Sequence, residues 1–259
     1  MFDFHLHSSL SFDSKELALA IAQAALDRGL KEICFTDHYD YNSDPALPAN
    51  LFTRDAYAHI YNGLSVPGLT IRKGMEFGLA RWNTRELRDI AAQWELDFII
   101  GSVHFVDGHD PAEKVYWDGI TVRNGFIRYL DEIVACVKVH NDFDVLGHIN
   151  YACKFEPSGQ PLLYQDFREA SDEIMRIVAQ KGIGMEINTS GVDRAGTFLP
   201  GADFLSRFKE LGGQIVTVGS DAHNAQRVGQ YAPQALEILK DIFGYVCTFE
   251  NRKPIFHKL

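Results

Sequence analysis

Short apolar runs alternate with longer amphipathic ones along the whole chain. MFDFHL is followed by SKELALAIAQAALDRGL, KEICFTDH by LFTRDAYAHIYNGL, LTIRKGMEFG by NTRELRDIAAQW, and LDFIIGSVH by the long stretch TVRNGFIRYLDEIVACVKVHN. FDVLGHIN then precedes LLYQDFREASDEIMRIVAQKG, IGMEINTS precedes GADFLSRFKELGG, and QIVTVGSDAH precedes PQALEILKDIFGY. The short runs are mostly continuous in apolar character, as expected of strands covered on both faces in a parallel sheet. The longer runs read as helices. Gly29, Gly182 and the Gly212–Gly213 pair punctuate their ends, and Ser14 stands where it would cap the first of them.

The alternation amounts to about seven βα units, one short of the usual eight-stranded barrel. A doubly wound open sheet would also alternate. However, no GxGxxG opens the first βα turn, and polar residues end nearly every strand instead of gathering at one switch point. A barrel brings all strand ends to one centre, which is what this pattern requires. The fold expected is therefore an α/β barrel. No Pro/Ser/Gly-rich or charge-rich spacer interrupts the chain, so residues 1–259 are expected to form a single domain.

Composition narrows the function. With 259 residues, 46% of them hydrophobic, the chain can bury a core of barrel size. Its formal net charge of −10 disfavours long nucleic acid as a partner, although a local cationic cluster could still take a small anion. Cys34, Cys136, Cys153 and Cys247 lie far apart with no CxxC pair, a usage of thiols that fits a reducing compartment. No basic, apolar leader and no run of membrane length is present, so the expected location is the cytoplasm, without a membrane partner. Homo-oligomerisation is left open.

The candidate chemistry lies at the strand ends. Six of the ten histidines close apolar runs: His5 and His7 in FHLH, His38 in FTDH, His104 in IIGSVH, His148 in VLGH and His223 in VTVGSDAH. Imidazole and carboxylate delivered repeatedly to the same end of successive strands are the makings of a multi-metal hydrolytic site. His5 and His7, spaced i, i+2, project from one face of their strand, and Asp221 and His223 repeat the spacing at the last strand. Glu76 joins them from GMEFG. Asp13 lies in the SLSFDS loop, where capping the first helix is the alternative role. Asp37, next to His38, should face away into a structural pairing. His59, His109, His140 and His257 fall on helical or loop segments and are expected to be solvated.

HLH, TDH, the strand-end glutamate of GMEFG, GSVH, LGH and SDAH, in this order, resemble the polymerase-and-histidinol-phosphatase (PHP) superfamily. Within it, GSVHF, FDVLGHIN, MEINTSG and GSDAH resemble the histidinol-phosphate phosphatases of histidine biosynthesis, from Asp3 to the TFENRKP tail. The resemblance implies a distorted (β/α)7 barrel and a trinuclear site of divalent zinc, manganese or iron. By position, His5, His7, Glu76 and Asp221 would hold one metal. Glu76, His104 and His148 would hold a second, and Asp13, His38 and His223 a third. Glu76, Asp221 and His223 would carry catalysis, through a metal-bridging hydroxide that attacks phosphorus in line. Three such ions outweigh Glu76, Asp13 and Asp221 in charge. The surplus would suit a phosphate monoester dianion in an otherwise acidic protein.

Substrate contacts are expected from four further residues. Glu186 and Asn188, spaced i, i+2 in MEINTSG, should face the barrel mouth and suit a cationic amino alcohol such as histidinol. A structural hydrogen bond is the alternative for Glu186. Arg194 and Lys154 would clamp phosphate, unless they are ordinary surface charges; relatives often carry arginine near the position of Lys154. The leading expectation is a phosphoric monoester hydrolase acting on L-histidinol phosphate. A phosphoesterase for another small ester such as a nucleotide is the second reading, and a catalytically silent metal-binding module the third. No GxSxG, P-loop or kinase signature favours a covalent or nucleotide-driven alternative.

Overall fold

In the computed structural model, which describes residues 1–159 and 161–259, seven strands run parallel around a nearly closed barrel. They are β1 (Phe2–Leu6), β2 (Glu32–Phe35), β4 (Thr70–Gly78), β5 (Phe98–Ser102), β6 (Val145–Leu146), β7 (Gly184–Asn188) and β8 (Val216–Gly219), paired in that order. A short β3 (His38–Asp40) pairs with the end of β4. The last edge meets the first beyond β8: the Asp221 N–H donates to the His5 carbonyl, and the His7 N–H to the Ala222 carbonyl. The expected seven βα units are thus present as a distorted barrel.

Helices α1 (Ala18–Asp27), α2 (Arg54–Tyr61), α3 (Thr84–Gln93), α5 (Val122–Val139), α6 (Arg168–Gln180), α8 (Ala202–Glu210) and α9 (Ala232–Ile242) cover the outside. Single-turn α4 (Lys114–Trp117) and α7 (Val192–Ala195) sit in the βα loops. In α6 the buried side chains Ser171, Ile174, Met175 and Val178 fall three or four residues apart, one stripe of a helix against the sheet. Thr53 and Thr121 cap α2 and α5 by accepting the N–H of Ala56 and of Asn124. Ser14 does not cap α1, which starts at Ala18. Its hydroxyl instead donates to the carbonyls of His7 and His223, tying the first loop to the last. No helix among the described residues is long and apolar enough to cross a membrane. All four cysteines are buried free thiols.

Two features of the barrel position the site. The register between β1 and β2 shifts by one residue between Asp3 and Leu6. This bulge lets Phe4 pack with Phe98 and Cys34 in the lumen while the next residue, His5, also turns inward to Glu76. At the opposite end, a hairpin of β9 (Tyr245–Glu250) and β10 (Lys253–Lys258) plugs the barrel, with Cys247 and Phe249 joining Phe4, Phe98, Ile100 and Val145. Its turn is pinned to strand starts: Arg252 to Asp144 at 2.5 Å, the N–H of Asn251 to Asp97 at 3.0 Å, and Glu250 to Arg72 at 2.6 Å. This hairpin had no counterpart in the sequence reading. His140 also departs from expectation, being buried with Nε2 2.8 Å from the Ala80 carbonyl.

Phe249→Ala is expected to destabilise the fold by about 3–5 kcal/mol, because it empties a fully enclosed site. Urea unfolding measures this directly, and a loss below about 1 kcal/mol would show that the hairpin is not a structural plug.

Candidate metal centre

At the mouth formed by the C-terminal ends of the strands, Glu76 of β4 stands among five histidines. Its Oε2 lies 3.2 Å from His5 Nε2, 3.6 Å from His7 Nε2 and 3.0 Å from His38 Nδ1. Its Oε1 lies 3.3 Å from His104 Nε2 and 2.9 Å from His148 Nε2, and accepts the Ser102 hydroxyl at 2.6 Å. Asp221 Oδ1 approaches His7 Nε2 at 3.3 Å and His5 Nε2 at 3.7 Å. Asp13 Oδ2 approaches His223 Nε2 at 3.0 Å and His38 Nε2 at 3.6 Å. The nine residues expected as donors therefore converge. Only Asp13, exposed in its loop, and His223, at the rim, are well open to solvent. Asp221 adopts φ +54, the left-handed region that a non-glycine residue enters at some cost.

The donor chemistry fits divalent cations. His5 Nε2, His7 Nε2, His38 Nδ1, His104 Nε2, His223 Nε2 and Glu76 Oε2 are buried without a hydrogen-bond partner. Polar atoms left this way are costly, and so many at one point call for a group that accepts several lone pairs at once. The donors form overlapping trios: His5–Glu76–His148, His5–His7–Asp221, His7–His38–His223 and His38–Asp40–His104. Mixed imidazole and carboxylate suit zinc, manganese and iron.

Partners behind the donors hold their orientation. Glu186 Oε1 lies 2.6 Å from His5 Nδ1, and Asp40 lies 3.1 Å from His104 Nδ1. The Asp221 carbonyl lies 2.9 Å from His223 Nδ1. Each keeps the opposite nitrogen aimed at the centre. Gly219 leaves room for the first pair, because a Cβ there would stand 2.3 Å from both Glu186 Oε1 and His5 Cβ. Burial alone would raise the Glu76 carboxyl, but His5, His104 and His38 hold it well below the usual carboxylate range. Burial lowers His5 and His104, yet the carboxylates around them win. Glu186, Glu76 and Asp221 push His5 well up, and Asp40 and Glu76 push His104 up to about 10. His7 goes the other way, lowered well below its ordinary value by burial and by His223 and His38.

A cavity of about 470 Å³ opens over these donors. Arg194 and Lys154 line it. Lys154 Nζ lies 3.2 Å from Asp221 Oδ2 and 3.0 Å from Ser190 Oγ, and Arg194 lies over the Phe155 ring. Glu186 and Asn188 do not fit their expected place at the mouth. Both are buried below it: Glu186 is turned onto His5, and the Asn188 amide donates to Glu186 Oε2 at 3.2 Å. The i, i+2 spacing correctly gave an inward face but not the neighbours that enclose these two side chains. Sequence reasoning missed Asp40, although it sits i, i+2 from His38 on β3. It also missed Asp110 and Arg227, in loops, and Tyr151, at the start of a short 3-10 helix (Tyr151–Lys154), residues on the cavity wall that follow no periodic pattern.

A family model described as the PHP domain matches residues 3–190. The chain belongs to the PHP domain family. It is 30% identical to the histidinol-phosphatase of Lactococcus lactis subsp. lactis, over 97% of this chain and 95% of that one. It is 28% identical to a Clostridium acetobutylicum protein named "Probable histidinol-phosphatase", over 99% and 96%. The crystal structure of the Lactococcus lactis histidinol phosphate phosphatase, complexed with zinc, L-histidinol and phosphate, is 29% identical. It aligns over 98% of both chains with a TM-score of 0.90.

For this PHP barrel the raised histidines set the sign of a pH effect. Metal must displace protons from His5, His38 and His104, whose proton affinities are raised in the metal-free protein. Zinc affinity is therefore expected to rise with pH across neutrality, with proton release on binding. Calorimetry in buffers of different ionisation enthalpy measures both. A pH-independent affinity without proton release would contradict the donor assignment.

Proposed function

We propose that this protein is a metal-dependent phosphomonoesterase that hydrolyses L-histidinol phosphate to L-histidinol and inorganic phosphate, a step of histidine biosynthesis. The observation that carries this reading is one cavity with the carboxylate–histidine cluster at its floor and Lys154, Arg194 and Arg227 on its wall. An acidic protein that gathers cations around a metal-donor set is suited to a small dianion. The Lactococcus lactis relative, crystallised with zinc, L-histidinol and phosphate, supports the choice of ester.

Three divalent ions, zinc, manganese or iron, would be held by three donor sets. These are His5, His7, Glu76 and Asp221; Glu76, His104 and His148; and Asp13, His38 and His223. Such ions polarise phosphoryl oxygens and bring the pKa of water towards neutrality. The chain's own residues do the rest. Glu76 belongs to two sets and fixes their separation. Asp221 is anchored through its backbone to His5 and through its carboxylate to Lys154, so metal donor and phosphate contact move as one unit. Arg227, held 3.0 Å from Asp193, presents a guanidinium fork of the kind that matches phosphate geometry.

Recognition of the alcohol moves from Glu186 and Asn188 to Asp110. This carboxylate lines the cavity, accepting the Ala112 N–H at 2.7 Å and the Tyr151 hydroxyl at 3.1 Å. It would take the substrate ammonium, while Phe12, Phe105, Tyr151 and Phe155 on the same wall offer rings to the imidazole.

Zinc-loaded protein is expected to release phosphate from L-histidinol phosphate. Chelator should abolish the activity, and His5→Ala should lower kcat/KM by more than about 100-fold. Undiminished activity in metal-free protein would refute the mechanism. Asp110→Asn should raise KM for L-histidinol phosphate by about tenfold or more, the worth of one charge-assisted hydrogen bond, and leave p-nitrophenyl phosphate hydrolysis unchanged. Equal loss on both esters would remove Asp110 from amine recognition.

A further inference from the structure

The chain between β8 and α9 is built from bends and turns over residues 223–231, yet it carries Arg227 into the cavity wall. Arg28, the residue that ends α1, does not line the cavity but holds this loop through its backbone. Its Nη1 donates to the carbonyls of Ala225 and Val228, and its Nη2 to the Gln226 carbonyl at 2.8 Å. These three carbonyls bracket Arg227. Among the described residues, Arg28 is the one side chain bonded to them.

The fork has a fixed root, because α1 buries Ala18, Ile21, Ala22 and Ala25. Other anchors grip the loop on either side of Arg227. Before it, Glu16 accepts the Ala225 N–H at 3.2 Å. After it, Asp3 accepts the Gly229 N–H at 2.7 Å and the Thr189 hydroxyl donates to the Gln230 carbonyl at 2.6 Å. Gly229, at φ +65, packs so closely on Leu30 that a Cβ would stand 2.9 Å from Leu30 Cδ1. A planar guanidinium meets several acceptors at set angles, which the point charge of a lysine ammonium does not do. With the backbone so fixed, Asp193 aims the side chain: its Oδ2 lies 3.0 Å from Arg227 Nη1, while its Oδ1 accepts the Tyr231 hydroxyl at 2.6 Å.

We infer that Arg28 is a positioning residue for the phosphate end of the site: by clasping the carbonyls on both sides of Arg227, it holds that guanidinium where the anion binds. The assignment rests on Arg227 being a phosphate contact, as proposed above. The metal donors are supported separately. His223 begins the same stretch, but its ring is held by the Asp221 carbonyl and its own carbonyl by the Ser14 hydroxyl. Arg28 therefore governs the anion contact and leaves the donor set alone.

Inorganic phosphate titrated calorimetrically into zinc-loaded protein tests this without turnover. Arg28→Lys keeps the charge and loses the fork, so it should weaken phosphate binding by about 3–10-fold. Arg227→Met should weaken it at least as much. Adding Arg28→Lys to Arg227→Met should then change the affinity by less than about twofold, because the contact through which Arg28 acts is already gone. Zinc affinity, measured by chelator competition, should not change in Arg28→Lys. Undiminished phosphate binding in either single variant overturns the assignment. So does an equal loss from Arg28→Lys with and without Arg227, or a matching loss of zinc affinity. If the phosphate results hold while L-histidinol phosphate is not hydrolysed, the proposed reaction fails and the role of Arg28 stands.

Discussion

Everything at the barrel mouth is arranged around one buried carboxylate. Glu76 presents Oε2 to His5, His7 and His38, and Oε1 to His104 and His148. A fully buried anion among neutral groups would be expensive, and histidines brought together without it would repel one another once protonated. The two needs meet in a cluster whose unpaired lone pairs point at the same small volume. The fold serves this point. The β1 bulge turns His5 inward, Gly219 leaves space for His5 and Glu186, and the hairpin closes the far end of the lumen.

Much of this could be read from the sequence because every candidate donor except Asp13, which lies in a loop, stands on or just past the end of a strand. The barrel follows from continuous apolar runs alternating with amphipathic ones, and His5/His7 and Asp221/His223 follow from the period of two. Legibility ends where geometry has no period. Glu186 and Asn188 face inward as the spacing implies, but they are enclosed, and Glu186 meets His5 instead of solvent. The closing hairpin was missed because its two-residue turn, Asn251–Arg252, has both residues at positive φ. Arginine is not among the residues that announce such a turn. Asp40 carried the same i, i+2 signal as the other pairs, and it reads as a partner of His104 only once β3 is seen beside β4.

The centre achieves orientation by more than one device. His5 leans on a carboxylate from β7, His104 on one from β3, and His223 on its own loop's backbone. These supports come from different parts of the chain, so the shape of the site depends on closure of the whole barrel. The cavity above inherits that rigidity at its floor, whereas its cationic and aromatic wall is built from loops, where the choice of ester can vary without disturbing the donors.

The donor geometry turns on whether Glu76 is shared between metals, and anomalous diffraction at the zinc edge, from crystals grown with zinc and phosphate, decides this. A peak is expected on each side of the Glu76 carboxylate, one beside His5, His7 and Asp221 and the other beside His104 and His148, with phosphate density reaching Lys154 or Arg194. A single peak, or none in contact with Glu76, would contradict it.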